Sequence, residues 1–199
     1  MNETKKTYTG HDVAFIIPTK DRPEKVKNVL ESISSQTMPC GRVIVGFGRI
    51  GRRVAALMAP FKVRILVVDP FVQDAQKEFP VLTLEEALPE ADIVTLHASG
   101  HDGIIAKNEF NLMKPGTFLL NAARGGLVGE DALMESLESR RVSGAWLDTF
   151  GQEPYLGTLS RFEQVILTPH IGSYTLECRR SMEMESVENL LDALVSRPE

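Results

Sequence analysis

Val43-Ile-Val-Gly46-Phe-Gly48-Arg-Ile-Gly51 is the stretch that decides the fold: an apolar run followed by glycines at the G-x-G-x-x-G spacing. Beyond it, residues 49–58 read as a helix with Ile50, Val54, Ala55 and Met58 inward. A second apolar run, 63–68, then ends at Asp69. The spacing alone is a weak signal, and its setting between a strand, a helix and a strand-ending carboxylate gives it meaning. Gly46 is expected to allow the tight turn, Gly48 the approach of a pyrophosphate to the backbone, and Gly51 the close packing of helix on strand. Arg49 and Ile50 fall in the first helical turn, whose unpaired N–H groups and partial positive charge suit phosphates. Asp69 is expected to accept hydrogen bonds from the adenosine ribose and to repel a 2′-phosphate. The cofactor this predicts is NAD rather than NADP. A glycine-rich turn in an unrelated α/β protein would share the spacing without those neighbours.

The alternation continues outward. Strands are expected at 93–96, 118–120, 142–147 and 165–167, with a short one at Val81. Helices are expected at 84–88, 107–113, 130–139 and 174–195, with a weaker one at about 71–78. The last carries Met184, Val187, Leu191 and Leu194 along one face. Strands rich in Val, Ile and Leu, separated by helices, predict a parallel sheet covered on both faces. The fold class is α/β, a Rossmann-type doubly wound parallel sheet over 42–199, with strand 43–45 between 63–68 and 93–96. Upstream, 13–17 reads as a strand ended by Pro18, and Asp21-Arg-Pro-Glu24 as a helix start. Residues 1–41 are therefore an extra N-terminal β-α segment, too short to be an independent domain.

Composition narrows the classes of function. A formal charge of -5 without a Lys/Arg run argues against nucleic acid as a partner. No stretch reaches the roughly 18 apolar residues of a membrane span, and the N-terminus lacks a secretory apolar core. Two cysteines, Cys40 and Cys178, have neither metal-ligand spacing nor a framework count, so no metal site is expected and a reducing cytoplasm is.

Three later segments place chemistry-bearing residues at strand ends: Asn121-Ala-Ala-Arg124-Gly-Gly, Asp148-Thr-Phe-Gly-Gln-Glu153-Pro and Thr168-Pro-His170-Ile-Gly172. Such ends line the ligand crevice of an open α/β sheet. Singly, each has a bland explanation: a surface arginine before a glycine turn, turn chemistry beside Pro154, a structural histidine. In this order, below a cofactor turn, the three form a candidate catalytic set. A histidine can give or take a proton near neutral pH, and a carboxylate beside it favours its charged form. An arginine offers a substrate carboxylate a planar, permanently charged fork.

With intermediate landmarks at Ala91-Asp-Ile-Val-Thr-Leu-His97, Leu112-Met-Lys-Pro-Gly116 and Leu147-Asp148, residues from about 42 to 195 resemble the NAD-binding domain of the D-isomer-specific 2-hydroxyacid dehydrogenases. The resemblance implies His170 as acid/base, Glu153 as its carboxylate partner, and Arg124 as the residue that binds and polarises a small 2-oxo or 2-hydroxy acid. It also implies Asp148 at the nicotinamide carboxamide, and Ala122, Ala123 and Gly172 along the cofactor, with His97 and Ala98 at the end of strand 93–96. A homodimer is the expected assembly.

Members of that family carry a separate substrate-binding domain ahead of this module, and here 45 residues precede Gly46. The expectation is a dehydrogenase impaired by a missing cleft wall. The alternative is a catalytically weak NAD(H)-binding or dimerising module. Those first residues carry another likeness. Ala14-Phe-Ile-Ile-Pro-Thr-Lys-Asp-Arg-Pro-Glu-Lys-Val and Leu30-Glu-Ser-Ile-Ser-Ser-Gln-Thr-Met-Pro39 are similar to the opening of family 2 glycosyltransferases. No D-x-D motif for a metal-bound nucleotide sugar follows, so the segment reads as a fragment joined at a similar strand. Strand 13–17 is expected to add to a sheet edge, pair with another chain or dock loosely, because both edges of strand 43–45 are already taken.

Overall fold

The computed structural model describes residues 41–61, 63–72, 78–100 and 103–195. The strand and helix read within the N-terminal segment, and most of the weaker helix at 71–78, lie outside the described residues.

Six strands form one parallel sheet: β1 (Gly41–Val45), β2 (Arg64–Val68), β3 (Ile93–Leu96), β4 (Thr117–Asn121), β5 (Val142–Leu147) and β6 (Val165–Leu167). Their order is β2-β1-β3-β4-β5-β6. β1 thus has β2 on one side and β3 on the other, as its sequence context predicts, with Val45 opposite Val68 and Leu96. The chain reverses its direction of travel between β1 and β3, which opens a crevice at their C-terminal ends. The short strand expected at Val81 is a single parallel bridge to Val67. Pro80 O and Leu82 N bond the Val67 backbone and close the outer edge of β2.

Among the described residues the α-helices are α1 (Arg49–Met58), α2 (Leu84–Ala87), α3 (Lys107–Leu112), α4 (Glu130–Glu138) and α5 (Leu176–Val195). Alternation along the strands sends side chains to two cores. Val45, Leu66, Val68, Val94, Leu96 and Leu119 pack with Leu88, Phe110, Leu133 and Leu137. On the opposite face Ile44, Ile65 and Val67 meet Ala55, Val54 and Met58 of α1, whereas Ile50, expected inward with them, is exposed in the first turn beside the cleft. A side chain such as Leu133, wholly buried, contributes about 2–5 kcal/mol against truncation to alanine. Local chemistry sets several ends. Thr83 and Glu86 form a reciprocal capping box at α2, and Glu109 accepts the Ala106 N–H ahead of α3. Asp92 accepts the Gly41 N–H at 2.6 Å and meets Lys114 Nζ at 2.6 Å, tying the start of β1 to β3.

Among the described residues, coverage of the sheet is unequal. On the α1 side, Phe118, Leu120 and Trp146 are half-buried and Ile166 is exposed. α5 buries none of its residues, and the stripe of Met184, Val187, Leu191 and Leu194 is open. Among the described residues no helix is long and apolar enough to cross a membrane.

Candidate active site and cofactor cleft

The glycine turn after β1 has the geometry that its three glycines require. Gly46 lies at φ 87, and a Cβ there would stand 2.4 Å from the Ala98 nitrogen. The residues after β1 and β3 are therefore in backbone contact across the crevice. At Gly51 a Cβ would meet the Gly46 carbonyl oxygen at 2.1 Å, so α1 can cross the turn only with glycine there. Gly48 differs: its backbone is extended and a Cβ would meet nothing within 4 Å. The fold makes no demand for glycine at that position.

Gly48 is the N-cap of α1, with no side chain capping the helix and no acidic residue in its first turn. The first N–H groups thus lack intrahelical partners and keep their partial positive charge. They border a 520 Å³ cleft lined by Gly48, Arg49, Ile50, Arg53, His97 and Glu185. Arg49, exposed at its mouth, pairs with Glu185 of α5 at 3.0 Å. An open N-terminus beside a glycine with room above it fits a pyrophosphate, so the residues present suit a dinucleotide.

Asp69, at the end of β2, binds both neighbouring turns. Its Oδ2 accepts the Phe47 N–H at 2.7 Å and its Oδ1 the Phe71 N–H at 2.9 Å. The carboxylate is partly exposed and stands beside the glycine turn. His97, half-buried after β3, lies 3.0 Å from the Thr95 hydroxyl, and burial pushes its imidazole below the ordinary value of 6.5.

After β4, the Asn121 side chain donates to Arg124 O at 2.9 Å and accepts the Ala123 N–H at 3.1 Å, shaping the Ala122–Ala123–Arg124 turn. Sequence reasoning gave Asn121 no role; its burial among polar neighbours is the sign of one. Arg124 is exposed, and its guanidinium donates to the neighbouring Ala123 carbonyl at 2.7 Å rather than to Glu153 or His170. Gly125 must be glycine, since a Cβ there would lie 1.9 Å from the Phe150 carbonyl carbon. That contact draws the turn after β4 against the segment after β5.

Glu153 and His170 do meet. His170 Nδ1 lies 2.9 Å from Glu153 Oε2, while Glu153 Oε1 accepts the Phe150 N–H at 3.1 Å. The His170 bond, then the Phe150 N–H, hold the Glu153 carboxyl below its ordinary value. His170 itself sits at φ 52, a region in which non-glycine residues are uncommon. Asp148, after β5, is 1% exposed and accepts three hydrogen bonds, from the Thr168 hydroxyl and from the N–H groups of Ile171 and Gly172. Asp148 and Gly172, both expected along the cofactor, are thus bonded to each other at 2.8 Å. Below the pair, Tyr155 stacks on Phe150 with centroids 4.4 Å apart and donates to Glu130. Burial, and then that bond, push its phenol up to about 12. Among the described residues no group of three His, Cys, Asp or Glu could hold a metal ion.

A parallel sheet whose strand ends carry a glycine turn, an acid bonded to that turn and a Glu–His pair has the form of a dinucleotide-binding domain of dehydrogenase type. The chain belongs to the D-isomer specific 2-hydroxyacid dehydrogenases: the family's NAD binding domain matches residues 22–172. That match begins inside the segment read as an N-terminal fragment. The chain is 34% identical over 163 residues to a D-3-phosphoglycerate dehydrogenase of Synechocystis sp., covering 78% of this chain and 29% of that protein. With the Mycobacterium leprae D-3-phosphoglycerate dehydrogenase it shares 36% over 158 residues, covering 76% and 30%. It thus spans less than a third of these curated relatives. Among solved structures, a glyoxylate reductase from Paecilomyes thermophila superposes with a TM-score of 0.74 at 28% identity, over 87% of this chain and 56% of that one. The NAD complexed form of a D-isomer specific 2-hydroxyacid dehydrogenase from Lactobacillus delbrueckii ssp. bulgaricus gives 0.71 at 26%, over 84% and 55%.

Proposed function

We propose that the chain binds NAD(H) across the β1–β3 crevice and supplies the acid/base half of a 2-hydroxyacid dehydrogenase site. The observation that carries this reading is the His170–Glu153 contact of 2.9 Å, on the same strand-end edge as the uncapped N-terminus of α1. When bound, NAD(H) would supply the hydride exchanged with the substrate carbon. The N–H groups of the α1 first turn would hold the pyrophosphate, and Asp69 the adenosine ribose. Ala122, Ala123, Asp148 and Gly172 would border the nicotinamide end. His170 would give its proton to the carbonyl oxygen of a 2-oxo acid, or take it from the 2-hydroxyl in the other direction. Glu153 would keep the imidazole ring oriented and favour its protonated form. Arg124, exposed, would leave its bond to Ala123 O to grip the substrate carboxylate as a fork. The same reading includes pairing of two copies of the chain.

The test is a screen of small 2-oxo acids with NADH, repeated with His170→Ala. The variant should lose about 10²- to 10⁴-fold in rate while NADH affinity stays within a few-fold. Equal turnover by variant and parent would remove the acid/base role. A second reading, an NAD(H)-binding module with little turnover, is favoured by the Arg124 guanidinium being turned onto Ala123 O. NADH binding without reduction of any 2-oxo acid would select it.

A further inference from the structure

Trp146, the only tryptophan of the chain, lies on β5, 22 residues before the residue to which it bonds. Its indole N–H donates to the Thr168 hydroxyl oxygen at 3.0 Å. An indole nitrogen can only donate, so Thr168 must accept there, and its hydroxyl has one proton left to place. That proton goes to Asp148 Oδ1, 2.5 Å away. The same oxygen accepts the Ile171 N–H at 2.9 Å, and Oδ2 accepts the Gly172 N–H at 2.8 Å. The His170 N–H closes the turn on Thr168 O at 2.9 Å. Between these bonds His170 is held at φ 52, a conformation that persists only where its surroundings impose it.

We propose that Trp146 is a positioning residue for His170, acting through the Thr168 hydroxyl and the Asp148 carboxylate to fix the turn that aims the imidazole at Glu153. The polarity of the relay carries the argument. Without the indole donor the Thr168 hydroxyl keeps only its own bond to Asp148 Oδ1, so its rotamer, and with it the hold on that carboxylate oxygen, is less firmly fixed. A phenylalanine would cover the same half-buried patch of sheet, so packing alone does not call for the nitrogen. The competing account is that the indole N–H is merely satisfying itself, in which case its removal leaves residues 171 and 172 undisturbed. The inference rests on the dehydrogenase reading of His170, and its test is chosen to fail separately.

Amide hydrogen exchange by NMR is measured on the full chain and on Trp146→Phe, Thr168→Val and Thr168→Ser. Trp146→Phe and Thr168→Val should speed exchange at Ile171 and Gly172 at least about fivefold, the loss of roughly one hydrogen bond. Exchange at Leu119 in β4 should stay within twofold, and Thr168→Ser, which keeps the hydroxyl, should restore the parent rates. In the reductase assay Trp146→Phe should lower kcat by a larger factor than it raises the KM for NADH. Unchanged exchange at both amides in Trp146→Phe overturns the proposal whatever Thr168→Val shows, as does acceleration shared equally by Leu119. Should Trp146→Phe not fold, Trp146→Leu, which also lacks the indole donor, takes its place in the same comparison. A parent chain that reduces no 2-oxo acid would refute the dehydrogenase reading, while the exchange rates still decide whether Trp146 holds the turn.

Discussion

Glu153 and His170 are 17 residues apart in the chain and in contact, Oε2 to Nδ1, at 2.9 Å. Because the bond favours ionised Glu153, its folded pKa lies below the ordinary 4.5, with His170 the largest cause. A lowered carboxylate contributes stability that is present above about pH 4.5 and lost as pH falls through the folded value. Both side chains are over a third exposed, so solvent screens the effect on overall stability. The sharper reading is local. In His170→Ala the Glu153 carboxyl should titrate closer to 4.5 than in the parent, followed by the carboxylate ¹³C shift. An unmoved titration would mean that the two groups do not interact in solution.

Gly51 is where helix packing leaves no room, its would-be Cβ being 2.1 Å from the Gly46 carbonyl oxygen. Gly51→Ala should therefore lose about 1–3 kcal/mol of stability, read as a lowered midpoint in urea. An unchanged midpoint would show that α1 does not cross the turn so closely.

Much of this was legible in the residues themselves. Helix Arg49–Met58 and strands Ile93–Leu96, Val142–Leu147 and Val165–Leu167 fall where periodicity placed them, because each pattern reports burial on one face or two. The place of β1 between β2 and β3 followed from the glycine turn. Periodicity does not name partners, however. Nothing in the spacing of Trp146, Asp148 and Thr168 showed that they form one hydrogen-bonded line, because that line depends on how β5 and β6 pair. Asn121 was missed for a like reason: its work is to hold the backbone of the residues beside it. The one-turn 3-10 segments, such as Gly125–Leu127, carry too few residues for any period. Of the residues named at the strand ends, Glu153 and His170 are brought into contact, while Arg124 is bonded to Ala123 O instead.

Asp69 should set the choice between NADH and NADPH, since a carboxylate at the ribose opposes a 2′-phosphate. Asp69→Asn removes the charge and keeps an acceptor oxygen for one of the Phe47 and Phe71 N–H groups. It should narrow the NADH preference about tenfold or more, measured by fluorescence titration with each cofactor. A parent chain with equal affinity for the two would remove Asp69 from the ribose.

Gly48 gives the most direct test of the cofactor turn, because the fold leaves open space where its side chain would be. If that space is kept for a pyrophosphate, a single methyl should spoil binding and leave the protein intact. Calorimetric titration of NADH into the parent and into Gly48→Ala, with thermal midpoints recorded on the same samples, measures both. The expected result is saturable binding to the parent, at least about tenfold weaker binding to the variant, and midpoints that agree within a degree or two. Equal binding by the two proteins, or none by the parent, would contradict it.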